Sequence, residues 1–413
     1  MLEIFFSFFF VVVFMNWNIF IYSLIFWFIY LIMNFNLMGD YSMKMILILL
    51  SIWIVSLMMI TVDYKNKKND LFIIISFMFI SLMISFYSES LLGFYLGFEM
   101  SIIPILLIIF GWGYQPDRLE AGFYLILYTM FFSLPLLVGI FYLEKNFSVN
   151  FFFFLSVVMA FLAKFPMFFF HLWLPRAHVE APVYGSMILA GVMLKLGGYG
   201  LYKVSMKLGD LIYYYSNFIL LFSFLGGMYL SFLCFLQSDI KVLIAYSSVV
   251  HMSIIISGML TMSEIGLIGG IIMMVGHGLC SSGLFYILGA MYDSTHTRSF
   301  YLNKGLMNII PVGGMWWFLF CAGNLSFPPC LNLAGEILLF SSILTYFKKM
   351  FLFIILFSVF SSMYSIYLFS YSQHGQVLNT FSFKLFNLNE SFILFLHWVP
   401  LNIILLDLSF VMV

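Results

Sequence analysis

The sequence has 413 residues, of which 64% are hydrophobic and only 8% are charged, and its formal net charge is zero. A soluble globular domain carries about 25% charged residues, so this composition excludes a water-soluble protein. Because 17 basic residues are scattered along the chain and balanced by 17 acidic ones, the composition also excludes an electrostatic nucleic-acid site.

Continuous apolar runs predict an all-α polytopic membrane protein with about 13 or 14 transmembrane helices. The first run, residues 4–36, is broken only by Asn16 and Asn18 and is either one long tilted helix or two shorter ones. The other runs lie at about 44–62, 71–88, 90–111, 121–143, 150–170, 184–206, 211–236, 240–260, 264–292, 306–341, 351–371 and 391–413. A β-barrel is excluded because its strands alternate apolar and polar residues. No linker rich in Pro, Ser or Gly divides the chain, which predicts a single integral membrane domain over residues 1–413.

Two stretches contain prolines that an unbroken helix does not accommodate. Pro166 lies inside the run at 150–170, Pro175 and Pro182 follow that run, and Pro328 and Pro329 interrupt the run at 306–341. Interrupted helices in corresponding halves are typical of inverted-repeat transporters. The predicted division is N-terminal spans at 1–62, a first repeat at 71–206, a second repeat at 211–371 and a C-terminal span at 391–413.

Four ionisable side chains lie within apolar runs: Glu99, Lys164, Lys195 and Glu336. A charge near the bilayer centre costs about 2.5–3.5 kcal/mol, so each of them needs a structural or functional reason. Glu99 and Lys164 predict either a structural ion pair between two helices or a proton site. Both interpretations stay open, because a pump needs a pair that forms in one state and loosens in another.

His251 and His277 are also embedded in apolar sequence, either as hydrogen-bonded core residues or as proton relays. His171, His178 and Glu180 do not form a metal-binding motif, because Pro175 disrupts the helical register between the histidines and no fourth ligand is evident. Nucleotide-binding and zinc-protease motifs are absent from the sequence.

Residue usage points to an organelle gene. The chain contains 54 Phe, 29 Met and 25 Tyr, and lysine outnumbers arginine 14 to 3, as A/T-rich codons would produce. The N-terminus is acidic at Glu3 and lacks both a basic signal-peptide region and an Arg-rich transit peptide. These features predict synthesis inside the organelle without a cleaved targeting segment.

The stretch Lys164–Gly200, KFPMFFFHLWLPRAHVEAPVYGSMILAGVMLKLGGYG, resembles the signature of the chain 4 family of NADH–ubiquinone oxidoreductase. This family contains the mitochondrial antiporter-like, proton-pumping subunits of respiratory complex I. Shorter similar stretches lie at 112–121, 239–252, 276–282, 295–298 and 324–336. The chain ends at Val413 directly after a span, which favours chain 4 over the related chain 5, whereas the short first 60 residues predict a reduced or missing N-terminal span.

The resemblance implies proton translocation along a buried axis formed by Glu99, Lys164, Lys195, Glu336, His178, His251 and His277. In the family, Glu99 and Lys164 correspond to a Glu–Lys pair on an unbroken and a broken helix. Lys195 corresponds to a central lysine and Glu336 to the ionisable group of the second broken helix. The histidines correspond to positions that connect these groups.

The resemblance also implies that this chain holds no cofactor. NADH, FMN, iron–sulfur clusters and ubiquinone would be used by other subunits, whose electron transfer drives the pump. The implied partners are the other membrane-arm subunits, including two further antiporter-like chains, together with accessory subunits and the lipid of the mitochondrial inner membrane. Two alternatives stay open: a secondary cation/proton antiporter subunit and a passive membrane scaffold.

Overall fold

The computed structural model describes residues 15–33, 42–62, 67–113, 115–144, 150–376 and 386–408. Within these ranges, β-pairing is limited to an isolated bridge between Asp239 and Ser299, and ten helices are long and apolar enough to cross a membrane. The predicted all-α membrane fold is therefore confirmed. Some residues in the predicted runs or between them lie outside the described residues: 4–14, 34–36, 63–66, 377–385 and 409–413. The choice between 13 and 14 spans stays a prediction.

The described helices follow the predicted runs closely. In chain order they are α1 (Trp17–Met33), α2 (Ser42–Thr61), α3 (Asn69–Tyr87), α4 (Leu91–Met100), α5 (Ile102–Trp112), α6 (Arg118–Glu144), α7 (Phe151–Lys164), α8 (Trp173–Glu180), α9 (Val183–Ile188), α10 (Leu194–Lys207), α11 (Gly209–Phe235), α12 (Ile240–Met259), α13 (Glu264–Thr295), α14 (Leu306–Ile309), α15 (Pro311–Asn324), α16 (Leu331–Tyr346), α17 (Phe351–Gln373) and α18 (Leu388–Leu406).

Short polar side chains fix the starts of several helices. Asp239 accepts a hydrogen bond from the N–H of Lys241 at 3.1 Å at the start of α12, and Ser263 accepts one from Gly266 at 3.1 Å at the start of α13. Such caps satisfy N–H groups that have no partner inside the helix. The long buried helices α12 and α13 therefore begin at defined residues, which fixes the positions of the histidines they carry.

Both proline-interrupted helices are present. The first stops at Lys164 and resumes at Trp173, and the indole of Trp173 donates to the carbonyl of Ala163 at 2.9 Å. The second stops at Asn324 before Pro328 and Pro329 and resumes at Leu331. Here the amide of Asn332 donates to the carbonyl of Gly323 at 2.9 Å. In each break, a side chain that follows the gap donates a hydrogen bond to a backbone carbonyl near the end of the preceding helix. Such a bond is needed because little water reaches backbone groups inside a membrane protein. The repeat boundaries at 71–206 and 211–371 stay a prediction.

A further proline, Pro400, leaves a backbone carbonyl in α18 without its helical donor. Pro400 has no N–H to donate to the carbonyl of Leu396, and the indole of Trp53 in α2 donates to that carbonyl at 3.1 Å. The substitution Trp53→Phe is expected to lower the free energy of unfolding by about 1 kcal/mol, because the carbonyl of Leu396 loses the side-chain donor that Trp53 provides. Thermal unfolding of the detergent-solubilised protein measures this loss.

The same substitution in a Pro400→Ala background separates this hydrogen bond from the loss of indole packing. Alanine restores an N–H at position 400, so Trp53→Phe should cost less in that background. An equal cost in both backgrounds would assign the effect to packing alone.

Candidate functional site

Lys195 lies at the centre of the helix bundle. A π-helical turn at Leu189–Met193 joins α9 to α10 directly before it, and such turns occur frequently at functional sites. The Lys195 side chain is fully buried, and its amine donates to the carbonyl of Ala190 at 2.6 Å. The same amine lies 3.0 Å from Nδ1 of His277 in α13. Lys195 is thus in direct hydrogen-bond contact with a second predicted site residue.

The chain of contacts continues from His277 to the second broken helix. The rings of His277 and His251 are 5.5 Å apart between centroids, and both residues are buried. Nδ1 of His251 lies 3.6 Å from Oε1 of Glu336, while its Nε2 lies 3.1 Å from the hydroxyl of Tyr364. Lys195, His277, His251 and Glu336 come from four helices and form one continuous series, in which the first three side chains are buried and Glu336 is 12% exposed.

Polar groups are concentrated around the Glu336 end of this series. Among the described residues, four buried polar atoms have no hydrogen-bond partner: Nδ1 of His251, Nδ2 of Asn324, Oγ of Ser326 and Oδ1 of Asn332. Buried polar atoms of this kind are normally satisfied, commonly by ordered water. The break between α15 and α16 therefore provides a polar environment inside an otherwise apolar bundle.

Lys164 and Glu99 lie next to each other without a direct bond. The Lys164 amine, at the end of α7, donates to the carbonyl of Phe98 at 2.8 Å and to Oγ of Ser101 at 3.3 Å. It also lies 3.4 Å from the centre of the Phe98 ring. Both carboxylate oxygens of Glu99 are buried and have no hydrogen-bond partner among the described residues. The lysine thus contacts the helix that carries Glu99 through its backbone and a serine.

Glu99 lies on one continuous span, Leu91–Trp112, whose regular helix is distorted at the single residue Ser101. Regular α-helix ends at Met100 and resumes at Ile102, within a span that continues to Trp112. Pro104 explains the interruption, because it has no N–H for the carbonyl of Met100 and its ring crowds that carbonyl. The interruption at Ser101 adjoins the hydroxyl that Lys164 uses.

A small cavity lies between the Lys164 region and the π-helical turn before Lys195. It has a volume of about 20 Å³ and is lined by Lys164, Thr129 and Trp173 together with Leu189 and Met193 of the turn. This volume is enough for about one water molecule. Lys164 lines this cavity, whereas Lys195 does not.

His178 lies on α8, outside the series from Lys195 to Glu336. Its ring is buried and stacks on Phe285 at 4.4 Å, and neither ring nitrogen has a hydrogen-bond partner in the described part of the chain. The residue interacts electrostatically with Lys195 and with Lys241. His171 instead stacks on Phe168 at 5.7 Å, and no group of three or more metal-ligating side chains is found in the described ranges.

Sequence analysis missed Lys241 and Tyr364. Lys241 is buried at the start of α12, but it lies at the edge of its apolar run, so the criterion of a charge within a run does not single it out. Tyr364 is one of 25 tyrosines and has no distinguishing sequence signal. Beside Lys241, burial raises the pKa of Asp239 above its ordinary value, and this outweighs the opposing effect of its hydrogen bond from the Lys241 N–H.

Comparison with known proteins agrees with this architecture. The family described as NADH:quinone oxidoreductase/Mrp antiporter, TM matches residues 88–365. NADH-ubiquinone oxidoreductase chain 4 of Ceratitis capitata is 47% identical and covers 92% of this chain and 91% of its own length. The chain 4 protein of Mytilus edulis is 39% identical, with coverages of 89% and 88%. The chain belongs to the NADH-ubiquinone oxidoreductase chain 4 family.

Solved structures share the fold of this chain 4 family member. A chain of respiratory complex I from Thermus thermophilus with bound NADH has a TM-score of 0.86 at 20% identity, covering 96% of this chain and 92% of that one. A chain of the Mrp complex from Dietzia sp. has a TM-score of 0.85 at 12% identity, with coverages of 96% and 90%. At these identities the likeness shows the fold alone. The family match at residues 88–365 includes every predicted site residue from Glu99 to Glu336.

Proposed function

We propose that this chain is a proton-translocating, antiporter-like membrane subunit of complex I, and that protons move along the buried series that contains Lys195. The observation that carries the proposal is the set of contacts from Lys195 through His277 and His251 to Glu336. Glu99 and Lys164 form the other end of the pathway. The role of each residue is our proposal, while the subunit class follows from the family.

The geometry suits stepwise proton transfer. A protonated Lys195 donates directly to Nδ1 of His277 across 3.0 Å, and the imidazole then releases the proton on its other nitrogen. The 5.5 Å ring separation between His277 and His251 leaves room for a bridging water or a ring rotation. His251 passes the proton to Glu336, whose carboxylate lies 3.6 Å away.

Burial explains why proton transfer along the series responds to a change of charge at one of its ends. A charge costs several kcal/mol at this depth, so adding a proton to one group raises the free energy of a neighbouring positive charge. A change in the charge at one end of the series therefore shifts protonation along it. In complex I, the driving change is supplied by electron transfer from NADH to ubiquinone through FMN and iron–sulfur clusters in other subunits.

The relatives indicate the cellular setting. They are named NADH-ubiquinone oxidoreductase chain 4 in animals, so we place this chain in the mitochondrial inner membrane and assign its gene to the mitochondrial genome. Its partners are the other membrane-arm subunits, including two antiporter-like chains, with accessory subunits and lipid. The redox cofactors belong to other subunits.

Substitution of His277 by glutamine tests the proposal in the assembled enzyme. Glutamine keeps hydrogen-bonding capacity but cannot carry a proton, so proton translocation and coupled NADH oxidation are expected to fall together by about tenfold or more. Reconstituted vesicles with a pH-sensitive dye and an NADH assay measure both quantities.

His397→Gln is the matched control, because His397 is equally buried but bonds to the carbonyl of Ile393 in α18, outside the series. A passive scaffold predicts that both variants pump normally once assembled. A free cation/proton antiporter predicts ion exchange in the absence of NADH. Either result would contradict the proposal.

A further inference from the structure

An apolar cavity of about 390 Å³ lies between α1, α2, α13 and α18. The residues at its floor are buried, since Leu50, Val275 and Leu279 are 6%, 4% and 2% exposed, whereas Ile403 on its outer side is 57% exposed. Apart from Asp407, every residue that lines the cavity is apolar. The cavity is thus closed toward the centre of the bundle and open toward its outer surface.

The size and lining of this cavity indicate a hydrocarbon ligand. Protein interiors are close-packed and contain few voids larger than a water molecule, whereas small-molecule sites have volumes of about 300–1,000 Å³. Apolar cavities hold no water, because their walls offer it no hydrogen-bond partners, and they take up apolar molecules instead. Below Asp407 the walls have this apolar character throughout.

The position of the cavity corresponds to one leaflet of a bilayer. Ile32 lies in the last turn of α1, Ile46 lies near the start of α2, and Asp407 directly follows α18, so these three lining residues mark one membrane surface. Along α18 the cavity extends from Val399 to Asp407, which is about 12 Å of helix. One leaflet of the hydrocarbon core is about 15 Å thick. The cavity therefore begins at the depth of lipid headgroups and extends through most of one leaflet.

The inner end of the cavity is too narrow for a further transmembrane helix. There α2 and α18 are in contact, because the indole of Trp53 donates to the carbonyl of Leu396 at 3.1 Å. The ring of Trp53 also lies 4.7 Å from the ring of Phe28 in α1, measured between centroids. A helix with its side chains is about 10–12 Å wide, so the gap between helices that touch at this level admits a single chain rather than a helix.

We propose that this cavity binds one acyl chain of a phosphatidylethanolamine molecule, whose ammonium group lies beside Asp407. A carboxylate at the cavity mouth attracts an ammonium group and accepts hydrogen bonds from it, whereas it repels a lipid with a net negative charge. The acyl chain then packs against Val275 and Leu279 of α13. The site goes beyond the proposed proton pathway and does not depend on it.

Photolabelling of assembled, vesicle-reconstituted complex I tests this site. The vesicles consist of phosphatidylcholine with a small fraction of phosphatidylethanolamine that carries a diazirine on one acyl chain, and mass spectrometry maps the labelled residues. Label is expected on Val275 or Leu279, which a lipid outside the cavity does not reach, since the apolar part of α13 is buried within the bundle. Absence of label from α13, as expected if another subunit covers the opening, would overturn the proposal.

Two substitutions on different walls show whether the label enters through the cavity. Leu49→Trp on α2 and Ile404→Trp on α18 fill part of the cavity without changing a charge, so each should lower labelling of α13 by about fivefold or more. Leu134→Trp, which alters an exposed leucine of α6, is the matched control and should label as the wild type does. Unchanged labelling in both cavity variants of assembled enzyme would contradict the site.

The headgroup is tested with a phosphatidylglycerol probe that carries the same acyl chains. In the wild type, the phosphatidylethanolamine probe should label α13 about threefold more, as an exposed charge pair allows, and Asp407→Asn should abolish this preference. Equal labelling by the two probes in the wild type would overturn the assignment of the headgroup. Because none of these measurements records proton translocation, failure of the lipid site and failure of the proposed proton pathway are distinguishable.

Discussion

Replacing Lys195 with methionine is expected to stop proton translocation through this chain while the complex still assembles. Methionine has a similar length and suits a fully buried position, but it has no amine to contact His277. Because general acid–base groups typically contribute about 10²–10⁴ in rate, coupled NADH oxidation should fall about a hundredfold. Vesicle acidification and NADH oxidation measured on the same preparation test this expectation.

Two further variants separate the loss of the proton carrier from the loss of charge. Lys195→Arg keeps the positive charge, but guanidinium does not release its proton in proteins, so it should be nearly as inactive as methionine. Lys207→Met removes an exposed lysine from the end of the same helix and should leave the rate unchanged. Full coupled activity in Lys195→Met would remove this residue from the pathway.

The sequence predicted site residues where a charged or polar side chain lies inside an apolar run. Lys195, His277 and His251 stood out because a polar or charged group is costly inside an apolar run. The structure brings these residues together with Glu336, as the resemblance implied. Pro166 and Pro328 likewise predicted helix breaks because proline cannot continue the hydrogen-bond pattern.

Other features depend on tertiary packing and have no local signal in the sequence. The π-helical turn before Lys195 consists of ordinary apolar residues and glycine, so its extra residue per turn is invisible in the sequence. Trp173 and Asn332 satisfy the broken helices, yet nothing in their local sequence shows which distant carbonyl each will reach. Lys241 lies at the edge of its run, where a lysine normally reaches the membrane surface with its side chain.

The pair of Glu99 and Lys164 shows the same limit. Sequence and resemblance predicted that the two groups interact, but could not predict which of the two arrangements a given conformation adopts. In this structure the lysine donates to the carbonyl of Phe98 and to Oγ of Ser101, and the Glu99 oxygens have no hydrogen-bond partner in the part of the chain that the structure describes. The local interruption at Ser101 supplies that alternative set of acceptors. A proton site would require such a loosened arrangement in part of its cycle.

Substitutions of Lys164 begin to distinguish the two interpretations of this pair, a structural ion pair or a proton site. Lys164→Met alone is expected to lower proton translocation and coupled turnover together by about tenfold or more, because the buried amine no longer carries a proton. Lys164→Arg should recover little, since its charge is fixed. Both rates are measured in vesicles, with assembly followed separately.

The double variant Glu99→Gln with Lys164→Met removes both charges and therefore leaves no unpaired buried charge. If the pair only joins two helices, a single substitution harms assembly because it leaves one buried charge unpaired. The double variant then restores assembly and pumping together. If the pair is a proton site, the double variant assembles but translocates no faster than Lys164→Met alone. We expect the second result, because Lys164 already has backbone and hydroxyl partners that hold its helix without Glu99. Restored pumping in the double variant would reduce the pair to a structural role.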